Sequence, residues 1–195
     1  MDMWENQDTY VEVWVEKDAL IGVVERPCEK WDVNFMACRG YMSQSEEWQA
    51  ANRFEEAENN GKTPILIYLG DHDPSGIDMS RDHNSRLNMF LNHTGIDIEV
   101  RRIALNYDQV RAYNPPPNPT KITDSRSPDY IRKFGRECWE LDALKPSVID
   151  KLVTEAIHEF RDPDLWEVQL EVVKEQREKL EKAYKNIRDD FKKGE

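Results

Sequence analysis

Apolar and polar positions in the first hundred residues switch repeatedly between a strand period and a helix period. Tyr10-Val11-Glu12-Val13-Trp14-Val15 alternates and is rich in β-branched and aromatic side chains, which predicts a strand. Asp18 is placed to cap a helix from Ala19 to about Val24, and Pro27 is expected to end it. Val33 to Cys38 predicts a second strand, running into the turn-forming Arg39-Gly40-Tyr41-Met42-Ser43. Ser45-Glu46-Glu47 opens a helix to about Asn59, which Asn60-Gly61 stops. Ile65-Leu66-Ile67-Tyr68-Leu69 is a continuous apolar run, the pattern of a strand covered on both faces. After Gly70-Asp71-His72-Asp73-Pro74-Ser75-Gly76 a helical stretch extends to about Asn92. Thr94-Gly95 breaks it, and Ile96 to Leu105 predicts a fourth strand. This alternation predicts an α/β fold of the Rossmann-like kind, a mostly parallel sheet flanked by helices.

Beyond Asn106 the pattern changes. Pro115-Pro116-Pro117-Asn118-Pro119 must be extended, a stiff connector, and the segment to about Cys138 is polar and loop-rich. Trp139 to Leu144 predicts a short strand or turn, and Pro146 suits the first position of a helix to about Phe160. Trp166, Leu170, Val173, Arg177, Leu180, Tyr184, Ile187 and Phe191 then recur at alternating spacings of four and three, a heptad seam with one charged intruder. The division expected is a core over 1–105, its loop-rich and helical completion over 106–160, and a C-terminal helical extension over 161–195. That last helix either packs back on the domain or pairs with a partner protein or a second copy.

The 195 residues suit one domain with an appended element. Six Trp, seven Tyr and six Phe argue against disorder although only 38% of residues are hydrophobic. Three scattered cysteines indicate neither a disulfide framework nor a zinc site, and the histidines lack ligand spacing. No apolar stretch reaches the ~20 residues of a membrane span, and the first residues carry no basic leader segment. A soluble, reduced, cytoplasmic protein is expected. With 27 Lys+Arg against 39 Asp+Glu the net charge is −12, which counts against a sequence-independent DNA coat but not against metal-assisted phosphodiester chemistry.

Two predicted strands end in acids, at the sheet edge where α/β proteins form their sites. The first delivers Glu16 and the third delivers Asp71 and Asp73, with His72 expected to point away. If these strands are neighbours, three carboxylates converge, and such crowding calls for protonation or a bridging cation such as Mg²⁺ (or Mn²⁺). Acids after strands also serve as turn residues and caps. His72 either touches phosphate or metal-bound water or merely fills the turn.

The ordered set is more specific than any one acid. A strand ending Glu16-Lys17-Asp18-Ala19, an Arg39-Gly40-Tyr41-x-Ser43 turn and Asp71-His72-Asp73-Pro74-Ser75-Gly76 together resemble the toprim domain of topoisomerases, primases and OLD-type nucleases. The nearest likeness is to the toprim region of the topoisomerase VI A subunit, over roughly residues 10–105. The resemblance implies that Glu16 is a general acid/base or metal ligand and that Asp71 and Asp73 hold Mg²⁺. Lys17 and Arg39 would be the nearest contacts to a scissile phosphate, unless they are solvated surface charge. Those relatives carry an attacking tyrosine in a domain ahead of toprim, and only nine residues precede the first strand here. Hydrolysis by water, or a partner chain that completes the site, is therefore expected.

Lys121, Arg126, Tyr130, Arg132, Lys133 and Arg136 form a local basic and aromatic cluster suited to gripping DNA or RNA, or else a solvated face. Glu140 and Asp142 could serve a second metal ion, although Asp142 is also placed to cap the helix at Pro146. The leading expectation is a metal-dependent nuclease working as an oligomer or with a partner. The competing one is a non-catalytic toprim-like module that binds a partner protein. A haloacid-dehalogenase-like phosphatase is disfavoured, since its DxD motif follows the first strand, not the third.

Overall fold

A computed structural model describes the backbone of residues 2–193 and the side chains of residues 2–188. It forms two compact units, one over Asp8–Phe160 and one joining residues up to Gln7 with those from Arg161 onward.

The larger unit is built on four parallel strands, β1 (Thr9–Val15), β2 (Asn34–Ala37), β3 (Thr63–Leu69) and β4 (Glu99–Ala104), in the order β2-β1-β3-β4. Helices α1 (Ile21–Lys30), α2 (Gln44–Asn59) and α3 (Pro74–Leu91) connect them. After β4 come α4 (Tyr107–Tyr113), β5 (Asn118–Pro119), α5 (Ser127–Phe134), β6 (Glu137–Cys138) and α6 (Pro146–Phe160). Helices α1 and α6 pack together on one side of the sheet and α2 and α3 on the other. Both faces are therefore covered, which is why β3 can be apolar throughout. Leu66 and Tyr68 join Trp14, Phe54, Leu87 and Leu91 in the core under α2 and α3, while Ile65, Ile67 and Leu69 are buried on the opposite face. The predicted Rossmann-like α/β architecture is present.

Local chemistry explains the boundaries. Ser43 and Glu46 form a reciprocal capping box at the start of α2. The expected stop at Pro27 is not observed. Pro27 and Cys28 are buried inside α1, and only one turn follows the proline, so a single lost hydrogen bond is tolerated. The helix ends at Trp31, whose N–H donates to the carbonyls of Pro27 and Cys28. The span after Asn106, read as loop-rich, holds two short helices. The Asn106 amide donates to Gln109 Oε1 at the start of α4, Pro128 opens α5 and Gly135, at φ 90°, closes it. These two helices carry Tyr107, Tyr130 and Phe134, which with Trp139 enclose His72 in an aromatic box.

Charged residues also sit inside this unit. Glu12, in the middle of β1, receives Arg53, Tyr10 and Trp14, and Glu47 meets His83 at 2.7 Å between α2 and α3.

In the smaller unit α7 (Pro163–Lys193) is the single helix among the described residues. Asp162 caps it, accepting from the amides of Asp164 and Leu165. Trp4 packs edge-on against Trp166, and Gln169 bonds to the Asp2 carbonyl and to Asn6. The rest of the described helix is exposed on most of its residues, including Leu170, Leu180, Tyr184 and Ile187. The side chain of Phe191, the last position of the predicted seam, lies outside the described residues. No helix among the described residues is long and apolar enough to cross a membrane.

Candidate active site

Strands β1 and β3 are direct neighbours, with Val15 opposite Leu69, so their carboxyl ends deliver acids to one place. The Glu16 amide donates to the Leu69 carbonyl, and the Asp71 amide donates back to Glu16 Oε2 at 2.8 Å. The two glycines of the loop make this approach possible. A Cβ on Gly70 would lie 2.8 Å from Glu16 Oε2, and one on Gly76 would lie 2.3 Å from the Asp71 carbonyl oxygen. The second clash is with backbone, which no rotamer change relieves. Gly76→Ala is expected to displace the Asp71 loop and cost about 1–3 kcal/mol, read as a lower midpoint in urea denaturation. An unchanged midpoint would mean the loop yields freely.

Below the loop lies Arg102 of β4, which is half-buried. Its guanidinium donates to the carbonyls of Gly70, Asp71, Gly76 and Leu105 and to Ser80 Oγ. It ties both ends of the acidic loop to β4 and supplies positive charge beneath the carboxylates. Sequence reasoning missed it, although strand alternation offered a signal. Arg101 faces outward to Glu159, which leaves its neighbour on the inward phase.

The segment after β6 closes the site. His72 and Trp139 form an antiparallel bridge, and the Leu141 amide donates to Asp71 Oδ1 at 2.8 Å. Glu140 and Asp142 are thereby brought beside Asp71. Lys17 joins all three, its Nζ lying 3.2 Å from Asp71, 2.9 Å from Glu140 and 3.3 Å from Asp142. Asp73 caps α3 through one carboxylate oxygen, which accepts from the Gly76 amide at 2.6 Å and from Ser75 Oγ. These groups open onto a cleft of about 640 Å³ that Lys17, Asp71, Asp73, Lys121, Asp124 and Glu140 help to line.

Burial, then the charge of Asp71, pushes the Glu16 carboxyl from 4.5 up to about 7. Asp71 is also raised, mainly by burial, against the Leu141 amide and Lys17. Burial alone would lower Lys17, but its bond to Glu140 and the charges of Asp71 and Asp142 outweigh it, and the ammonium is held above its ordinary value. His72 is pushed down to about 4 by burial and then by Arg102, so its imidazole is neutral. It points away from the cleft and lies 2.7 Å from the Tyr130 hydroxyl, so its place is structural.

The other basic candidates separate. Lys121 faces the cleft. Arg39 adopts left-handed backbone (φ 56°) and pairs with Asp18 at the surface. Arg126 bonds to Asp124, Asp78 and the Tyr41 hydroxyl beside a second hollow of about 300 Å³, so its charge is already matched by acids.

Nothing known matches this chain among family models, curated proteins or solved structures. What the cleft can do rests on its own chemistry. Its acidic donors are carboxylate oxygens, the donor type of hard divalent ions. Glu16 and Asp73 each commit one oxygen to a backbone amide, and Lys17 serves as the resident cation among Asp71, Glu140 and Asp142. Among the described residues no three or more His, Cys, Asp or Glu side chains are gathered so that they could together hold a metal ion. Mg²⁺ and Mn²⁺ take such oxygen donors with few protein ligands and several waters, so the chemistry of the side chains, rather than a gathered ligand group, is what the cleft offers a divalent ion.

Proposed function

We propose that the Asp8–Phe160 unit is a toprim-like domain that hydrolyses phosphodiester bonds of DNA or RNA with Mg²⁺ or Mn²⁺. The observation that carries this reading is a buried Glu16, poised near neutrality and bonded to the amide of Asp71, which itself lines a cleft rich in carboxylates and lysines. Asp71 and Asp73 would hold the ion, with Glu140 and Asp142 beside them. When bound, the ion supplies Lewis-acid stabilisation of charge developing on phosphate. Glu16 accepts or returns the proton of the attacking water, a task matched to a pKa near the working pH. Lys17 and Lys121 meet the phosphate. Water is the nucleophile because the cleft lining offers no activated side chain. The Ser75 hydroxyl donates to Asp73, and burial raises the Cys138 thiol.

One observation favours a second reading. Lys17 already bridges three of the carboxylates, as it would in a non-catalytic module held together by an ion network. Incubation of the full chain with plasmid, linear and single-stranded DNA and with RNA, in Mg²⁺, Mn²⁺ or EDTA, separates the two. The nuclease reading expects metal-dependent cleavage, with Asp71→Asn weakening divalent-ion binding by on the order of tenfold in calorimetry. A chain inert on every substrate that binds no divalent ion would establish the module.

A further inference from the structure

We infer that α7 is a self-complementary dimerisation helix, pairing antiparallel with α7 of a second copy of this chain. Trp166 does not belong to the free seam, because it is buried and packed against Trp4 within its own unit. From Leu170 to Ile187, however, the seam stands open. Leu170, Leu180, Tyr184 and Ile187 are 43%, 62%, 67% and 57% exposed, a row of large apolar side chains along one stripe of a 31-residue helix. Monomeric surfaces rarely leave such a continuous stripe uncovered.

Charge identifies the occupant. In the heptad frame Leu170, Arg177 and Tyr184 take a positions and Val173, Leu180 and Ile187 take d positions. The flanking e positions are Glu167, Lys174, Glu181 and Arg188, which alternate in sign. Two antiparallel copies with Leu170 facing Ile187 and Val173 facing Tyr184 bring e against e. Glu167 then meets Arg188, and Lys174 meets Glu181, each twice by symmetry. Every e-position encounter is between opposite charges, and such flanking pairs set partner and orientation in helix pairs. The g positions Gln169, Gln176 and Ala183 are uncharged, so g against g sets no like charges together.

The parallel arrangement fails on the same residues. It would stack Arg177 on Arg177 in the seam and pair Lys174, Glu181 and Arg188 with the uncharged g positions. In the antiparallel register Arg177 faces Leu180, so its stem covers apolar surface while its guanidinium reaches solvent. The exposed intrahelical pair between Lys174 and Glu171 competes only weakly. This inference does not depend on the chemistry proposed for the cleft.

The test is the mass of the full chain in solution, by sedimentation or light scattering over a dilution series. A dimer is expected. Lys174→Glu should weaken it by about tenfold or more, since two attractive contacts become repulsive. Lys174→Glu with Glu181→Lys should restore it, although the two positions lie two turns apart and do not touch within one helix. Orientation is read by oxidative cross-linking, which the buried Cys28, Cys38 and Cys138 do not confuse. Val173→Cys and Tyr184→Cys should each fail to cross-link alone and should join when mixed. A chain monomeric throughout, a double reversal that restores nothing, or self-linking of Val173→Cys would each overturn the inference. Circular dichroism confirms that each variant keeps its helix.

Discussion

Glu16→Gln is expected to stop cleavage while making the larger unit more stable above neutral pH. The Glu16 pKa is raised from 4.5 to about 7 in the folded protein, so the fold holds the proton more tightly than the unfolded chain does. The stability this confers is fully present below about pH 4.5 and is lost as pH rises through about 7. Two and a half pKa units correspond to roughly 3 kcal/mol. Gln keeps the acceptor for the Asp71 amide and never ionises, so it retains that stability at every pH. Melting curves of wild type and variant should coincide in acid and separate progressively towards pH 8, by about 6–12 °C for a unit of this size. A divalent ion should narrow the gap at pH 8 by stabilising the wild-type carboxylate. Cleavage should fall by about 10²–10⁴, the usual yield of a general acid or base. Identical pH–stability profiles would mean Glu16 is ordinary in its ionisation. Undiminished cleavage would move the chemistry elsewhere.

That Glu16 could be found at all from sequence depends on short-range regularities. Strand β3 is recognisable because five consecutive apolar residues fit few other places, and the loop after it is marked by acids, Pro74 and two glycines. Neighbouring residues carry those signals, so they survive in one dimension. Other parts of the site are made of contacts distant along the chain. The role of Arg102 is hard to read from sequence because four of its partners are backbone carbonyls, which leave no compositional trace, and strand alternation marks only the face it is on. Lys17 is similar. The resemblance implies a phosphate contact for it, whereas its position among Asp71, Glu140 and Asp142 needs the bridge between His72 and Trp139. Helices α4 and α5 were hidden by their polarity, since they bury few side chains and their apolar residues serve the box around His72. Their caps, Asn106 with Gln109 and Pro128 with Gly135, were the legible signs.

Glu12 runs against its local pattern, and its replacement by Ala is expected to be the most destabilising single change in the chain. In an alternating strand a glutamate reads as solvent-facing. Here it shares its phase with Trp14, is 1% exposed, and lies between Asn34 of β2 and Leu66 of β3. The buried carboxylate is tolerated because every approach to it is a donor. Arg53 binds it through two nitrogens at 2.6 and 2.8 Å, the Tyr10 hydroxyl donates at 2.7 Å and Trp14 Nε1 at 2.9 Å. Glu12→Ala removes four acceptor contacts at once and leaves the guanidinium and the indole N–H facing a cavity. Breaking such a pair from one side costs about 3–5 kcal/mol, a large part of the 5–15 kcal/mol that holds a typical domain. Urea denaturation should show that loss as a lower midpoint at nearly constant slope. Arg53→Ala should cost less, because Tyr10 and Trp14 still satisfy the carboxylate and Arg53 is partly exposed. The double variant should fall short of the sum by about 1–3 kcal/mol, since the stranded guanidinium accounts for part of the Glu12 penalty. Strict additivity would mean the two side chains act independently and that the indole and phenol donors, rather than the ion pair, explain why a charge sits in the centre of the sheet.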